Sequence, residues 1–238
     1  MLDKKSGYAY YRPFYVVDPN AQITAGMVAF LATSGTTTVA TIAASGTVPI
    51  GTFWKDHASA YVRSTVESTT FDATTDLALL QKGNVLSTAS IKVTSATGAT
   101  VYTQGLDYTV NTTNGLLQNL GVGIAAGATV VVWYRYTVRA TQIYWDNVST
   151  KWSSGSNYDR APDDTMGAGK ITVAEGDAKI FTDMYDVNQT YTLNASLRSD
   201  VNSLWSTAAT AYSICGRVIQ VPSATNPFLG VQQIMVAS

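Results

Sequence analysis

His57 is the only histidine and Cys215 the only cysteine in this 238-residue chain. The residue types that most often serve as general base, soft nucleophile or transition-metal ligand therefore occur once each. A Ser-His-Asp or Cys-His arrangement would have to use His57, whose context Trp54-Lys55-Asp56-His57-Ala58-Ser59 contains no nucleophile elbow. One histidine cannot build a histidine metal cluster, and one thiol excludes an internal disulfide or a multi-thiolate zinc site. Cys215 stands in Ile214-Cys215-Gly216-Arg217-Val218, where it reads as a small buried hydrophobe. Asp159, Asp163 and Asp164 cluster in a Gly/Ser-rich stretch and offer oxygen ligands of the kind calcium takes. Their spacing is not that of an EF-hand loop and no Glu stands at the twelfth position, so they read as solvated loop carboxylates. Gly167-Ala168-Gly169-Lys170 lacks the GxxxxGK[ST] spacing, and Ile171-Thr172-Val173 after it has strand rather than helix character. Among 16 acidic residues no pair is marked out for glycoside hydrolysis.

Five tryptophans (Trp54, Trp133, Trp145, Trp152, Trp205) and 14 tyrosines remain. Rings of this size could line a sugar-binding surface, but they also anchor β cores and subunit interfaces, which is the expected role here. No catalytic residue, cofactor site or metal site is assigned.

Composition narrows the classes further. Charged residues make up 13% of the chain, about half the usual share, and Thr, Ser, Ala, Val and Gly take their place. Net charge is -1 and the basic residues are scattered singly, so there is no electrostatic footprint for nucleic acid. No run approaches the ~20 apolar residues of a membrane-spanning helix. The start, Met1-Leu2-Asp3-Lys4-Lys5-Ser6-Gly7-Tyr8, has no apolar core of a secretory signal, so the four Asn-x-Ser/Thr sequences at Asn111, Asn147, Asn188 and Asn194 are by-products of composition. Folding in a reducing cytoplasm is expected.

The elements that must position these residues are strands. Val28 to Leu31, Thr38 to Ile42, Ser90 to Thr94, Thr129 to Tyr136 and Gly216 to Val221 are β-branched or aromatic runs bounded by Gly, Pro, Asn or Ser-Gly. Their spacing predicts an all-β protein, a barrel or sandwich, with little helix. Two short helices are predicted: Thr75 to Lys82 with Leu77, Leu79 and Leu80 inward, and Ser196 to Ala209 with Leu197, Val201 and Leu204 at i, i+4, i+7.

Three regions emerge. Residues 1–84 open with an aromatic arm (Tyr8, Tyr10, Tyr11, Phe14, Tyr15) that is either an edge strand or an extension over an adjacent subunit. Residues 85–138 read as a self-contained β-sandwich module of short strands, with an Asn114-Gly115 type I′ hairpin turn. Apolar residues on both faces of its last strand suggest a covered face, such as an interface. Residues 139–238 contain a predicted exposed loop from Ser153 to Gly169, strands at Lys170 to Val173 and Ala178 to Thr182, and a closing hairpin around Pro222.

Two segments carry a family resemblance. Tyr102-Thr103-Gln104-Gly105-Leu106-Asp107-Tyr108-Thr109-Val110-Asn111, followed by Gly115-Leu116-Leu117 and Ala126-Gly127-Ala128-Thr129-Val130-Val131-Val132, resembles a small β-sandwich module of phage virion proteins. Thr24-Ala25-Gly26-Met27-Val28 and Pro49-Ile50-Gly51-Thr52 resemble the outline of phage head decoration proteins, whose Thr-Ala-Gly-x-Val strand and x-Ile-Gly segment belong to a small barrel. On that resemblance Cys215-Gly216-Arg217-Val218 and Leu229-Gly230-Val231 would supply return strands of the same barrel, with the module inserted. The implied function is a capsid decoration (cement) protein, assembled in the host cytoplasm. It would bind the major capsid protein on the outer shell as a homo-oligomer, with no nucleic-acid or membrane partner and no enzymatic activity. The contact candidates are Tyr10, Tyr11, Phe14, Trp152 and Tyr158. A tail tube or baseplate protein, and a carbohydrate- or receptor-binding module, are the alternative readings.

Overall fold

Short β-branched runs punctuated by turn residues form strands throughout. The structure, a computed structural model, describes residues 9–17, 23–34, 37–42, 48–53, 60–139, 143–146, 151–154, 170–210 and 212–234. Among them are nineteen strands and no α-helix. The first four are β1 (Ala9–Val17), β2 (Val28–Ser34), β3 (Thr37–Thr41) and β4 (Val48–Phe53). Then come β5 (Ala60–Thr70), β6 (Leu77–Leu79), β7 (Ile91–Ser95), β8 (Val101–Tyr102), β9 (Tyr108–Asn111), β10 (Leu116–Asn119) and β11 (Thr129–Arg139). The last group is β12 (Ile143–Asp146), β13 (Lys151–Ser154), β14 (Lys170–Gly176), β15 (Lys179–Thr182), β16 (Ser196–Ser199), β17 (Trp205–Ser206), β18 (Gly216–Gln220) and β19 (Leu229–Gln233). Thr88–Ser90 adds one 3-10 turn.

Contacts divide the chain into two compact units: Met1–Tyr61 with Val138–Val221 and Phe228–Ser238, and Val62–Thr137 with Pro222–Pro227. The first unit contains a closed barrel of order β1-β14-β4-β2-β3 and a five-stranded sheet of order β15-β19-β18-β16-β17. Parallel pairing of Val16 with Val39 and Val17 with Ala40 closes the barrel. From Ala9 to Val17 the aromatic arm is thus a barrel strand: Tyr10 pairs with Glu175 and Tyr11 with Ala174 of β14, and Val16 and Val17 at its end pair with β3. Register slips between Arg12 and Tyr15, where Pro13 has no N–H to give a ladder. The expected return strands around Cys215 and Leu229 do not enter the barrel. They pair with each other as β18 and β19 in the five-stranded sheet, while β14 takes the place between β1 and β4 in the barrel.

Both helix expectations are corrected. In the first, Asp72 accepts the Thr74 and Thr75 amides and the Thr75 hydroxyl, and Asp76 takes φ 55°. The chain then runs as β6 against β10, Leu79 pairing with Leu116. Ala78 and Leu80 point inward and Leu79 is 64% exposed, a period of two. In the second, Asp200 accepts the amides of Asn202 and Leu204, and Ser203 takes φ 62°. Side-chain acceptors of this kind offer the backbone an alternative to the helix. Leu197 and Leu204 are buried on either side of a turn that leaves Val201 outside.

The second unit packs the four-stranded sheet β5-β11-β7-β8 and the three-stranded sheet β6-β10-β9 around one core. Phe71, Leu80, Val93, Tyr108, Leu117, Val130, Val132 and Tyr134 belong to it. Burying side chains of this size contributes roughly 1.5–3 kcal/mol each. Alternation along β11 puts Val130, Val132 and Tyr134 in the core and leaves Val131, Trp133 and Arg135 half-buried. The β9–β10 hairpin differs from expectation. Leu116 pairs with Asn111 across a four-residue connection in which Gly115 alone of the Asn-Gly pair has positive φ, 73°, and donates to the Asn111 carbonyl.

Within the first unit, buried polar contacts tie the barrel to the five-stranded sheet. Gly26 takes φ 99°, and its carbonyl accepts both the Trp205 indole N–H at 3.0 Å and the Thr182 hydroxyl at 3.2 Å. Its own N–H donates to Phe53, and Val28 donates to the Ser203 carbonyl. Gln233 makes a second tie: it accepts from the Thr52 hydroxyl at 2.7 Å and donates to the carbonyls of Ala174 and Gly176. Gly51 lets β4 approach β14, since a Cβ there would strike the Ala174 carbonyl.

Gly26→Ala must strain both the backbone, at φ 99°, and the contact with Thr182 Oγ1, which an added Cβ would overlap. It is expected to lose about 2–4 kcal/mol in urea denaturation. Because Thr182→Ala alone strands the Met184 amide, the double variant should lose less than the sum of the two single losses, the difference being the relieved contact. Additive losses would show that the two residues do not meet.

Candidate functional site

Several of the described ionisable groups are held in structural contacts. Glu67, on β5, is buried with Arg63 and Ser64. Its Oε1 accepts the Gln81 amide at 2.9 Å and its Oε2 the Tyr134 hydroxyl at 3.1 Å, while that hydroxyl accepts the Lys82 amide. Burial raises the Glu67 pKa, against the lowering effect of these hydrogen bonds and of the Lys82 charge. Burial likewise pushes Tyr108 up to about 12, helped by Asp107, and Cys215 up to about 12. Cys215 is a buried thiol 3.8 Å from the Leu197 carbonyl, an inert packing group. Asp200 is raised by burial despite accepting two backbone amides. Tyr191 donates to the carbonyls of Asp186 and Trp205 and pins that turn.

Of the contact candidates, Tyr10, Tyr11 and Phe14 lie on β1 and Trp152 on β13, where it stands opposite Trp145. Their side chains, and Tyr158 altogether, lie outside the described residues, as do His57, Trp54, Asp159, Asp163 and Asp164. The barrel strand β1 separates Tyr10, Tyr11 and Phe14 in sequence and in sheet from the β12–β13 hairpin. Trp205 is fully buried, and Trp133 is half-buried with the Lys92 ammonium 4.9 Å from its ring centre.

The second unit exposes several aliphatic side chains: Leu79 and Leu86 on other segments, and Leu106 at 55%, Leu120 at 40%, Val122 at 67% and Val101 at 63%. Leu106 rides the loop between β8 and β9, and Leu120 and Val122 ride the loop after β10. Asp107 clasps the two loops. Its Oδ2 accepts the Thr103 amide at 2.7 Å, and its carbonyl accepts the Leu120 amide at 2.9 Å. A Cβ on Gly123 would overlap Asp107 Oδ1, so the second loop lies directly on this carboxylate. Asn119 fixes the loop from below, donating to Asp76 Oδ1 and the Ile124 carbonyl and accepting the Gly121 amide. The Asp-Tyr pair therefore has a physical role: the acid locks the loops and the Tyr108 ring enters the core.

Sequence reasoning passed over these side chains. Their signal is aliphatic residues among glycines, Asn119-Leu120-Gly121-Val122-Gly123, with neither strand nor helix period. Compared with protein-family models, curated proteins and solved structures, the chain matches none.

Tyr134→Phe leaves the Lys82 amide and a Glu67 oxygen short of a partner, and should cost about 1–3 kcal/mol. Because Glu67 is raised in the folded state, its stability contribution is fully present below its ordinary pKa of 4.5 and lost as pH rises through the folded value. Urea denaturation between pH 4 and 7 should show this fall in the wild type and a flatter profile in Glu67→Gln. Equal profiles would remove the carboxylate from the account.

Proposed function

We propose that this chain is a structural protein of a tailed-phage virion, a capsid decoration protein that binds the major capsid protein on the outside of the shell. One observation carries the reading. Both segments that resemble head decoration proteins serve the closed barrel, and each needs its glycine there: Gly26 at the entry to β2 and Gly51 where β4 meets β14. A charge-poor, hydroxyl-rich surface on a rigid β scaffold suits contacts repeated over a lattice. Each contact can be weak, because many copies add their binding free energy to the assembled state.

A receptor- or glycan-binding role is the second reading, favoured by the register that sets Trp145 opposite Trp152 on the β12–β13 hairpin. Co-sedimentation of the purified protein with phage heads lacking it separates the two. Saturable binding at a stoichiometry set by the capsid lattice, with added heat resistance of the heads, is the expected result. Absence of binding together with self-assembled rings or tubes would assign the protein to the tail. Absence of head binding with glycan binding lost in Trp152→Ala would assign it to the receptor.

A further inference from the structure

We propose that Asn114 is a deamidation site gated by the fold: the closed β9–β10 hairpin blocks the reaction, and each opening of the hairpin permits it. Asn114-Gly115 is the only Asn-Gly step in the chain. In the reaction the Gly115 nitrogen gives its proton to hydroxide and bonds to Cγ of Asn114. The Cγ–Nδ2 bond breaks, ammonia leaves, and a cyclic succinimide remains. Water then adds to either carbonyl of that ring, giving aspartate or isoaspartate. Glycine offers the least hindered nitrogen for this attack because it has no Cβ.

In the closed hairpin the groups that must move are already held. The Gly115 amide donates to the Asn111 carbonyl at 2.8 Å, and the Gly115 carbonyl accepts the Leu80 amide at 3.0 Å. Asn114 Oδ1 accepts the Leu116 amide at 3.0 Å, which fixes the side chain as well. The carbonyls of Thr112 and Thr113 accept the amides of Val85 and Asn84 at 2.8 and 3.0 Å. Gly115 is buried, with the Lys82 carbonyl 2.9 Å from where its Cβ would stand. Asn114 itself is exposed. Water therefore reaches the amide side chain, and the block lies in the pinned peptide.

The two products differ in what they allow afterwards. Aspartate keeps the backbone and an oxygen for the Leu116 amide, so the hairpin can reclose. Isoaspartate runs the chain through the side chain and lengthens the backbone by a methylene. That extra length falls inside the short connection that sets Leu116 opposite Asn111. Leu117, the next residue, is fully buried, and a slipped register would take it out of the core. Isoaspartate at this position records a past opening and makes it irreversible.

The test incubates the full-length protein in mildly alkaline buffer, folded and in denaturing urea. Peptide mass spectrometry follows the exchange of NH2 for OH at Asn114 and separates aspartate from isoaspartate. In urea Asn114 should convert ahead of the other asparagines, and in the folded protein roughly a hundredfold more slowly or slower still. Below the unfolding midpoint its rate should rise with urea, as opening does. Leu117→Val loosens β10 and leaves the Asn-Gly step intact, so it should raise the folded-state rate about fivefold while circular dichroism stays unchanged. Asn114→Asp should melt with the wild type, and the isoaspartate form at a lower temperature. Equal rates in folded and unfolded protein would overturn the proposal, as would an unfolded chain that shows no preference for Asn114. So would a folded-state rate that responds to neither urea nor Leu117→Val, or an isoaspartate form that melts with Asn114→Asp.

Discussion

The first unit depends on one backbone carbonyl. Gly26 presents its oxygen to an indole and a hydroxyl from the five-stranded sheet while its own amide reaches Phe53 of the barrel. A side chain at this position would collide with Thr182, so the geometry demands glycine at φ 99°. Around this point Ile23, Met27, Phe53 and Val173 pack in one core with Met184 and Leu204, which flank strands of the five-stranded sheet. The Thr52–Gln233 contact supports the same junction between residues 181 apart in sequence. Two sheets that might have been independent are thereby bound to one buried polar cluster, and its members cannot be removed singly without stranding a partner.

Polar groups carry specificity in the second unit as well. Glu67, Asp107 and Asn119 are all buried, and each satisfies backbone amides or carbonyls of segments that would otherwise be free loops. That arrangement suits a chain with few charges to spend on its surface. The acids it does bury act as fixed acceptors. The outside of the sandwich is rich in threonines and glycines, with a few aliphatic tips and exposed charges such as Asp72 and Lys82.

Much of the fold was legible because barrel and sandwich strands are short β-branched or aromatic runs between turn residues. The runs Val28 to Leu31, Thr129 to Tyr136 and Gly216 to Val221 are strands for that reason. β5 was not legible: Arg63, Ser64 and Glu67 occupy buried positions, so the apolar alternation that marks a strand is missing. The false helix at Ser196 to Ala209 arose because a strand, a turn and a second strand happened to space Leu197, Val201 and Leu204 at helical intervals. Which return strands close the barrel was equally hidden, since β14 and β18 have similar local patterns and long-range pairing alone distinguishes them. The exposed aliphatic residues escaped because apolar residues in a glycine-rich loop belong to no periodic class.

The most direct test of the account is native-state hydrogen exchange over a urea series. The amides of Val28 and Phe53, bonded at the Gly26 junction, and those of Trp205 and Gln233 in the five-stranded sheet should exchange through one common opening with one urea dependence. Earlier, separate opening of Val28 and Phe53 would contradict it, and would mean that the barrel stands without the sheet.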